Sequence, residues 1–117
     1  MERVLLDLAQ EMVGDAVVVR AAGEIDLVSA PEFRSHLERA CAHATPPEHV
    51  VADLTGVSFL GSAGLSVLLD IDERCRNRHT PLRVVATSPG TVRPLQVTGL
   101  DRVLNVVASL TEVPRPR

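Results

Sequence analysis

Val50-Val51-Ala52-Asp53-Leu54 is a nearly unbroken apolar run between the turn formers Pro46-Pro47 and Gly56. A run this short, rich in β-branched residues, has the pattern of a strand buried on both faces. Leu82 to Ala86 repeats that pattern, and Leu104 to Val107 gives a last, shorter strand. A strand buried on both faces has to sit inside a layered domain, so the segments between these runs should be helices packed on a sheet.

The intervening residues support that expectation. Ser29-Ala30-Pro31-Glu32 has the makings of a helix start, with a serine cap, a proline in the first turn and a glutamate able to close a capping box. Phe33, Leu37, Ala40 and Cys41 follow at helical spacing, and the helix should end before Pro46-Pro47. A second helix is expected after Phe59-Leu60-Gly61-Ser62, with Leu65, Leu68, Leu69 and Ile71 inward, a solvated tail from Asp72 to Arg78, and Pro81 as its stop. Ser88-Pro89-Gly90 opens a short third helix with Val92 and Leu95 inward and Gly99 as terminator. Upstream, Val4 to Gln10 and Ala16 to Ala22 read as a hairpin around Gly14-Asp15, and Gly23-Glu24-Ile25-Asp26 leaves its second strand. The order is β-β-α-β-α-β-α-β. A chain of 117 residues has room for one core. The fold class is therefore α/β: one domain over residues 1–113, with a mixed four- to five-stranded sheet flanked by helices. Pro114-Arg115-Pro116-Arg117 is expected to fray as a disordered tail, after Ser109 to Val113 attempts one turn.

Composition removes whole classes of function. All 12 basic residues are arginine, so there is no lysine for a P-loop, a Schiff base or a lysine general base. Phe33 and Phe59 are the whole aromatic complement, too few for a nucleobase-stacking platform, and nucleic acid is not an expected partner. No apolar stretch approaches the roughly 18 residues that span a bilayer, and the start of the chain lacks the apolar core of a signal peptide. Neither membrane nor export is expected. Cys41 and Cys75 lack C-x-x-C spacing and read as small buried hydrophobes in a cytoplasmic protein. Of His36, His43, His49 and His79, the first two lie two turns apart on the first helix without a metal-ligand pattern; all four read as solvated surface side chains, so neither metal nor cofactor is expected.

Gly61-Ser62-Ala63-Gly64 is the segment with chemical potential. A nucleophile elbow needs glycine two residues before the serine, where Leu60 stands. A Walker A loop needs lysine, a dinucleotide fingerprint needs a third glycine, and a KH clamp follows a helix rather than a strand. No histidine–carboxylate pair is placed to make Ser62 a hydrolase nucleophile. What remains is a serine on a strand-to-helix turn. Its hydroxyl can cap the helix, or it can receive a phosphate, because a helix N-terminus tolerates that negative charge.

These residues resemble a known family. Gly23-Glu24-Ile25-Asp26, then Asp53-Leu54-Thr55-Gly56-Val57-Ser58-Phe59-Leu60-Gly61-Ser62-Ala63-Gly64-Leu65, then Ser88-Pro89 and Val97-Thr98-Gly99-Leu100, are similar to the STAS domain of bacterial anti-sigma factor antagonists. The resemblance covers nearly the whole chain. It implies a STAS-like sheet flanked by helices and no catalytic activity. It further implies binding to an anti-sigma factor of the serine-kinase type, release of a sigma factor by partner switching, inactivation by phosphorylation of Ser62, and reversal by a phosphoserine phosphatase. The implied contact face is the Gly23 to Ser29 loop, with Gly23, Glu24, Asp26 and Ser29, and the turn around Ser62, with Leu60, Gly61, Ala63 and Gly64; Glu24 and Asp26 would give it charge. One departure stands out: the family commonly carries aspartate before the phosphorylated serine, and this chain has Gly61. Losing that carboxylate would weaken kinase recognition or a polar contact to the partner, whereas glycine would relax the turn and let a partner backbone approach closely. The alternative is a STAS subunit of a lipid or solute transport complex, in which Ser62 is structural. Sensing of a small ligand such as a nucleotide has little residue support.

Overall fold

The computed structural model describes residues 6–110. In chain order the elements are β1 (Leu6–Val13), β2 (Ala16–Ile25), α1 (Ala30–His43), β3 (His49–Leu60), α2 (Ser62–Asn77), β4 (Leu82–Val85), α3 (Pro89–Val97), a 3-10 turn (Leu100–Arg102) and β5 (Asn105–Val107). The expected order of strands and helices is the observed one. Of the expected features, Val4 and Leu5, residues 111–113 and the tail lie outside the described residues.

The strands form one sheet in the order β1-β2-β3-β4-β5; β1 runs antiparallel to β2 and the other pairs are parallel. Each parallel crossover moves one strand further in the same direction. Right-handed crossovers then place α1, α2 and α3 on the same face. The core agrees: Phe33, Leu37, Leu68, Ile71 and Leu95 from the helices join Val17, Val19, Val50, Ala52, Leu54 and Val84 of the strands in one cluster. The alternate residues Ala16, Val18, Val51 and Val85 make a smaller cluster on the other face, with Val107 and Leu110 against it. The Val50–Leu54 run is thus buried on both faces, as expected. Its single carboxylate, Asp53, accepts from Arg20 Nη1 at 2.8 Å, from the Thr55 amide at 3.1 Å and from Thr55 Oγ1 at 2.8 Å, which satisfies a buried charge.

Local reading placed several boundaries and side chains incorrectly. β3 runs six residues past Leu54, and β2 continues to Ile25, because the two strands stay paired through bulges near Arg20/Ala22 and Gly23/Glu24. β4 pairs with β3 no further than Asp53. Beyond that point α3 approaches the uncovered edge, and Ser88 Oγ donates to the Val57 carbonyl at 2.8 Å. On α2, Leu69 is half-exposed and Val67 is buried instead. The expected solvated tail also holds two buried side chains: Asp72, ion-paired to Arg76, and Cys75. They extend the inward stripe set by Leu68 and Ile71. His49, expected at the surface, is buried at the start of β3, where burial and the nearby Arg83 lower its pKa against the smaller opposing effect of Asp15.

Helix α2 stops at Asn77, four residues before Pro81. His79 has φ +60°, the Thr80 amide donates to the Cys75 carbonyl at 2.9 Å and the His79 amide to the Arg76 carbonyl at 3.2 Å. This is a Schellman ending with histidine where glycine is usual. Left-handed backbone is unfavourable for a residue bearing Cβ by about 1–2 kcal/mol. His79→Gly should therefore raise unfolding stability by about 1 kcal/mol, less the greater entropy glycine has in the unfolded chain. Urea unfolding midpoints for the two proteins check this.

Candidate functional site

The carboxyl ends of β2 and β3 lie side by side, with Ile25 opposite Leu60. The Gly61 amide donates to the Ile25 carbonyl at 2.8 Å and ties the turn before α2 to the loop before α1. The two sequence blocks singled out above therefore meet at one end of the sheet. Parallel sheets generally present their loops for binding at this end.

Ser62 is the first residue of α2 and is exposed. The cap position falls on Gly61, with φ −84° and ψ 176°, and no side chain caps the helix. The capping role open to Ser62 in the sequence is thus not taken up, which leaves its hydroxyl outside the fold's own bonding. The first amides of a helix carry partial positive charge and favour an anion nearby. No charged side chain occurs between Asp53 and Asp70, so the surroundings of Ser62 are neutral in sequence on both sides.

Gly61 has no need of glycine's backbone freedom. Its φ is ordinary, so the turn does not require glycine for backbone reasons. A Cβ built there would lie 3.2 Å from Phe59 Cε2 and 3.4 Å from the Ile25 carbonyl oxygen. The space is taken by the Phe59 ring, which folds against the turn and remains 49% exposed. Gly64 is buried: a Cβ there would meet Ile25 Cγ2 at 2.6 Å and Leu60 Cδ1 at 2.7 Å. Leu60 is buried too. Gly64 and Leu60 shape the turn from beneath and offer no surface to a partner.

The loop before α1 corrects a second expectation. Ser29 was expected to cap α1 in a capping box with Glu32, yet it is buried and makes no cap bond. Its Oγ turns back and donates to the Glu24 carbonyl at 2.8 Å, while the Asp26 amide donates to that same Oγ at 3.0 Å. Asp26 Oδ1 accepts from the Val28 and Ser29 amides, each at 3.0 Å. These bonds, the Ser29 amide foremost, hold the Asp26 carboxyl below its ordinary pKa. Of the expected contact residues, Glu24 and Ser62 are exposed, Gly23, Asp26, Gly61 and Ala63 are half-buried, and Ser29, Leu60 and Gly64 are buried. Inside the Gly23 to Ser29 loop, Leu27 and Val28 are 82% and 79% exposed.

Elsewhere, Cys41 and Cys75 are free and buried between α1 and α2, and burial followed by contact with Cys41 pushes the Cys75 thiol well above its ordinary pKa. That matches the reading of both as small core side chains. Among the described residues no helix is long and apolar enough to cross a membrane.

The STAS domain family model matches residues 7–113. Rv2638, a Mycobacterium tuberculosis protein assigned to the anti-anti-sigma factors, is 36% identical over 93 residues, covering 80% of this chain and 63% of its own length. The chain thus spans a little under two thirds of that relative. The anti-sigma-F factor antagonist RsfA of the same species is 34% identical over 91 residues, covering 78% of this chain and 71% of its own. The crystal structure of an anti-sigma factor antagonist from Mycobacterium paratuberculosis superposes with a TM-score of 0.83 at 36% identity, covering 92% of this chain and 89% of that one. The chain belongs to the STAS-domain family of anti-sigma factor antagonists.

Proposed function

We propose that this protein is an anti-sigma factor antagonist that works by partner switching. In its unphosphorylated form it binds an anti-sigma factor of the serine-kinase type, and the sigma factor held by that protein is released. Phosphorylation of Ser62 ends the binding, and a phosphoserine phosphatase restores it. The protein acts by binding and is not an enzyme. Buried free thiols at Cys41 and Cys75 suit a reducing, cytoplasmic setting.

The observation that carries the reading is the state of Ser62: exposed, first in α2 and not used as a cap. A phosphoryl group brings about −1.5 to −2 charges at neutral pH, and a helix N-terminus accommodates them. The fold then persists while the surface changes sign. Relatives named as antagonists of an anti-sigma factor, RsfA among them, support the same partner class.

The test is a phosphotransfer assay. The protein is mixed with each anti-sigma factor of the bacterium that encodes it, with and without ATP. One partner should bind it without ATP and place one phosphate on Ser62. Undiminished labelling of Ser62→Ala would move the acceptor elsewhere.

A further inference from the structure

The two edges of the sheet are unlike. β5 ends it with three residues, Asn105–Val107, too short to offer much to another strand. β1 ends it with eight, Leu6–Val13, free of proline and glycine and in unbroken register with β2. Ala9 through Val13 are exposed, Met12 at 54% and Val13 at 42%. Gly14 and Asp15 form a two-residue turn closed by the Val13–Ala16 pair. The pair that closes such a turn exchanges both backbone hydrogen bonds, and alternate pairs along the ladder do the same. Val13, Glu11, Ala9 and Asp7 therefore commit their amides and carbonyls to β2. Met12, Gln10 and Leu8 turn theirs outward, where no described strand meets them.

We propose that β1 pairs with β1 of a second copy of this chain, antiparallel and about a two-fold axis at Gln10, so that the two sheets join edge to edge. The strand's own charges choose the axis. Outward backbone groups must meet outward groups, so residues that lie opposite share a face of the joined sheet. Leu8 packs on the helix-side core, which puts Leu8, Gln10 and Met12 on that face. Asp7, Ala9 and Glu11 take the other, where Glu11 is ion-paired to Arg20. An axis at Ala9 would set Asp7 against Glu11 of the copy, and an axis at Glu11 would set that acid against itself. Like charges directly opposite are unfavourable. Axes nearer either end, at Leu8 or Met12, overlap less of the strand. At Gln10 the overlap runs from Asp7 to Val13 and no acid faces an acid. Met12 then lies opposite Leu8, Val13 opposite Asp7 and Glu11 opposite Ala9, while the two Gln10 side chains meet at the axis and can hydrogen-bond each other. Proline, lysine and bulges, which keep edges apart, are missing from β1, and its two acids leave one register open. In that register the carboxyl ends of β2 and β3 point in opposite directions in the two copies, so each Ser62 stays accessible. A seam of this length is small, and the association it gives is weak and concentration-dependent.

Sedimentation velocity between about 10 μM and about 1 mM compares wild type, Gln10→Pro, Val13→Arg and the double variant Val13→Arg/Asp7→Asn. Wild type should pass from monomer to dimer within that range. Proline removes an outward amide that the hairpin does not use, so Gln10→Pro should stay monomeric throughout and melt within about 5 °C of dilute wild type. Val13→Arg sets a cation opposite Asp7 twice in each dimer and should tighten association about fivefold. With Asp7→Asn in the same chain that gain should disappear. Wild type that remains monomeric overturns the proposal, and so does a dimer that survives Gln10→Pro. No gain from Val13→Arg, or a gain that persists without Asp7, overturns the axis at Gln10. If Gln10→Pro fails to fold, wild type and the two Val13→Arg proteins decide the matter by themselves. None of these measurements involves an anti-sigma factor, so the antagonist function stands or falls separately.

Discussion

Ser62→Asp should weaken binding to the anti-sigma factor by about 100-fold or more, while Ser62→Ala binds as wild type does. The estimate comes from the neighbourhood. A charge placed at Ser62 enters a surface with no cation in sequence between Asp53 and Asp70, beside a loop whose own charges are acidic. Desolvating such a charge against a partner without a matched cation is unfavourable by several kcal/mol. The free protein experiences the opposite effect. At the first residue of α2 the carboxylate faces the positive end of the helix, a gain of about 0.3–1 kcal/mol. Affinity and stability should therefore move in opposite directions, which a misfolded variant cannot imitate. Calorimetric titration with thermal unfolding of all three proteins makes the comparison, and equal affinities would refute electrostatic blocking. Phosphate, with roughly twice the charge of aspartate, should act more strongly still.

The second large effect concerns a residue outside the implied contact face. Gly90→Ala should lower unfolding stability by about 3 kcal/mol. Glycine to alanine inside a helix is ordinarily favourable by about 1 kcal/mol, so the sign here is decided by space. A Cβ on Gly90 would sit 1.9 Å from the Ser58 carbonyl oxygen and 2.8 Å from its carbon. Both are backbone atoms, so no rotamer change relieves the overlap and α3 has to move off β3. That movement would break the Ser88 Oγ bond to the Val57 carbonyl and loosen the packing of Leu95. Gly64→Ala offers the contrast, since its nearest neighbours are side-chain atoms of Ile25 and Leu60 and not backbone. Urea denaturation of the two variants should rank Gly90→Ala as the more damaging. Similar midpoints would mean that α3 slides along β3 without loss.

Both predictions depend on contacts between segments remote in the chain, and the same distinction separates what was legible in the sequence from what was not. The element order, the both-face burial of Val50 to Leu54, the Phe33-Leu37-Ala40-Cys41 stripe and the placing of Ser62 on a strand-to-helix turn were all readable from periodicity and turn formers. Those signals are local: they follow from backbone geometry over a few residues. The joining of the Gly23 and Gly61 blocks in one face came from family resemblance, and the pairing of Ile25 with Leu60 supplies its physical basis.

Tertiary structure decided the rest. β2 and β3 run on to Ile25 and Leu60 because each continues to find the other across two bulges, a pairing over some 35 residues that no local window contains. Ser29 had the right identity and spacing for a capping box, but the Glu24 carbonyl and the Asp26 amide took its hydroxyl. Gly61 has a φ open to any residue, and its closest neighbour is the Phe59 ring two residues back. Leu27 and Val28 are apolar, yet the fold leaves both in water. By itself the sequence determined which backbone shape each segment prefers and where a modifiable hydroxyl lies. The tertiary structure decided which neighbour fills the space beside each residue, because that depends on chain segments that meet only after folding.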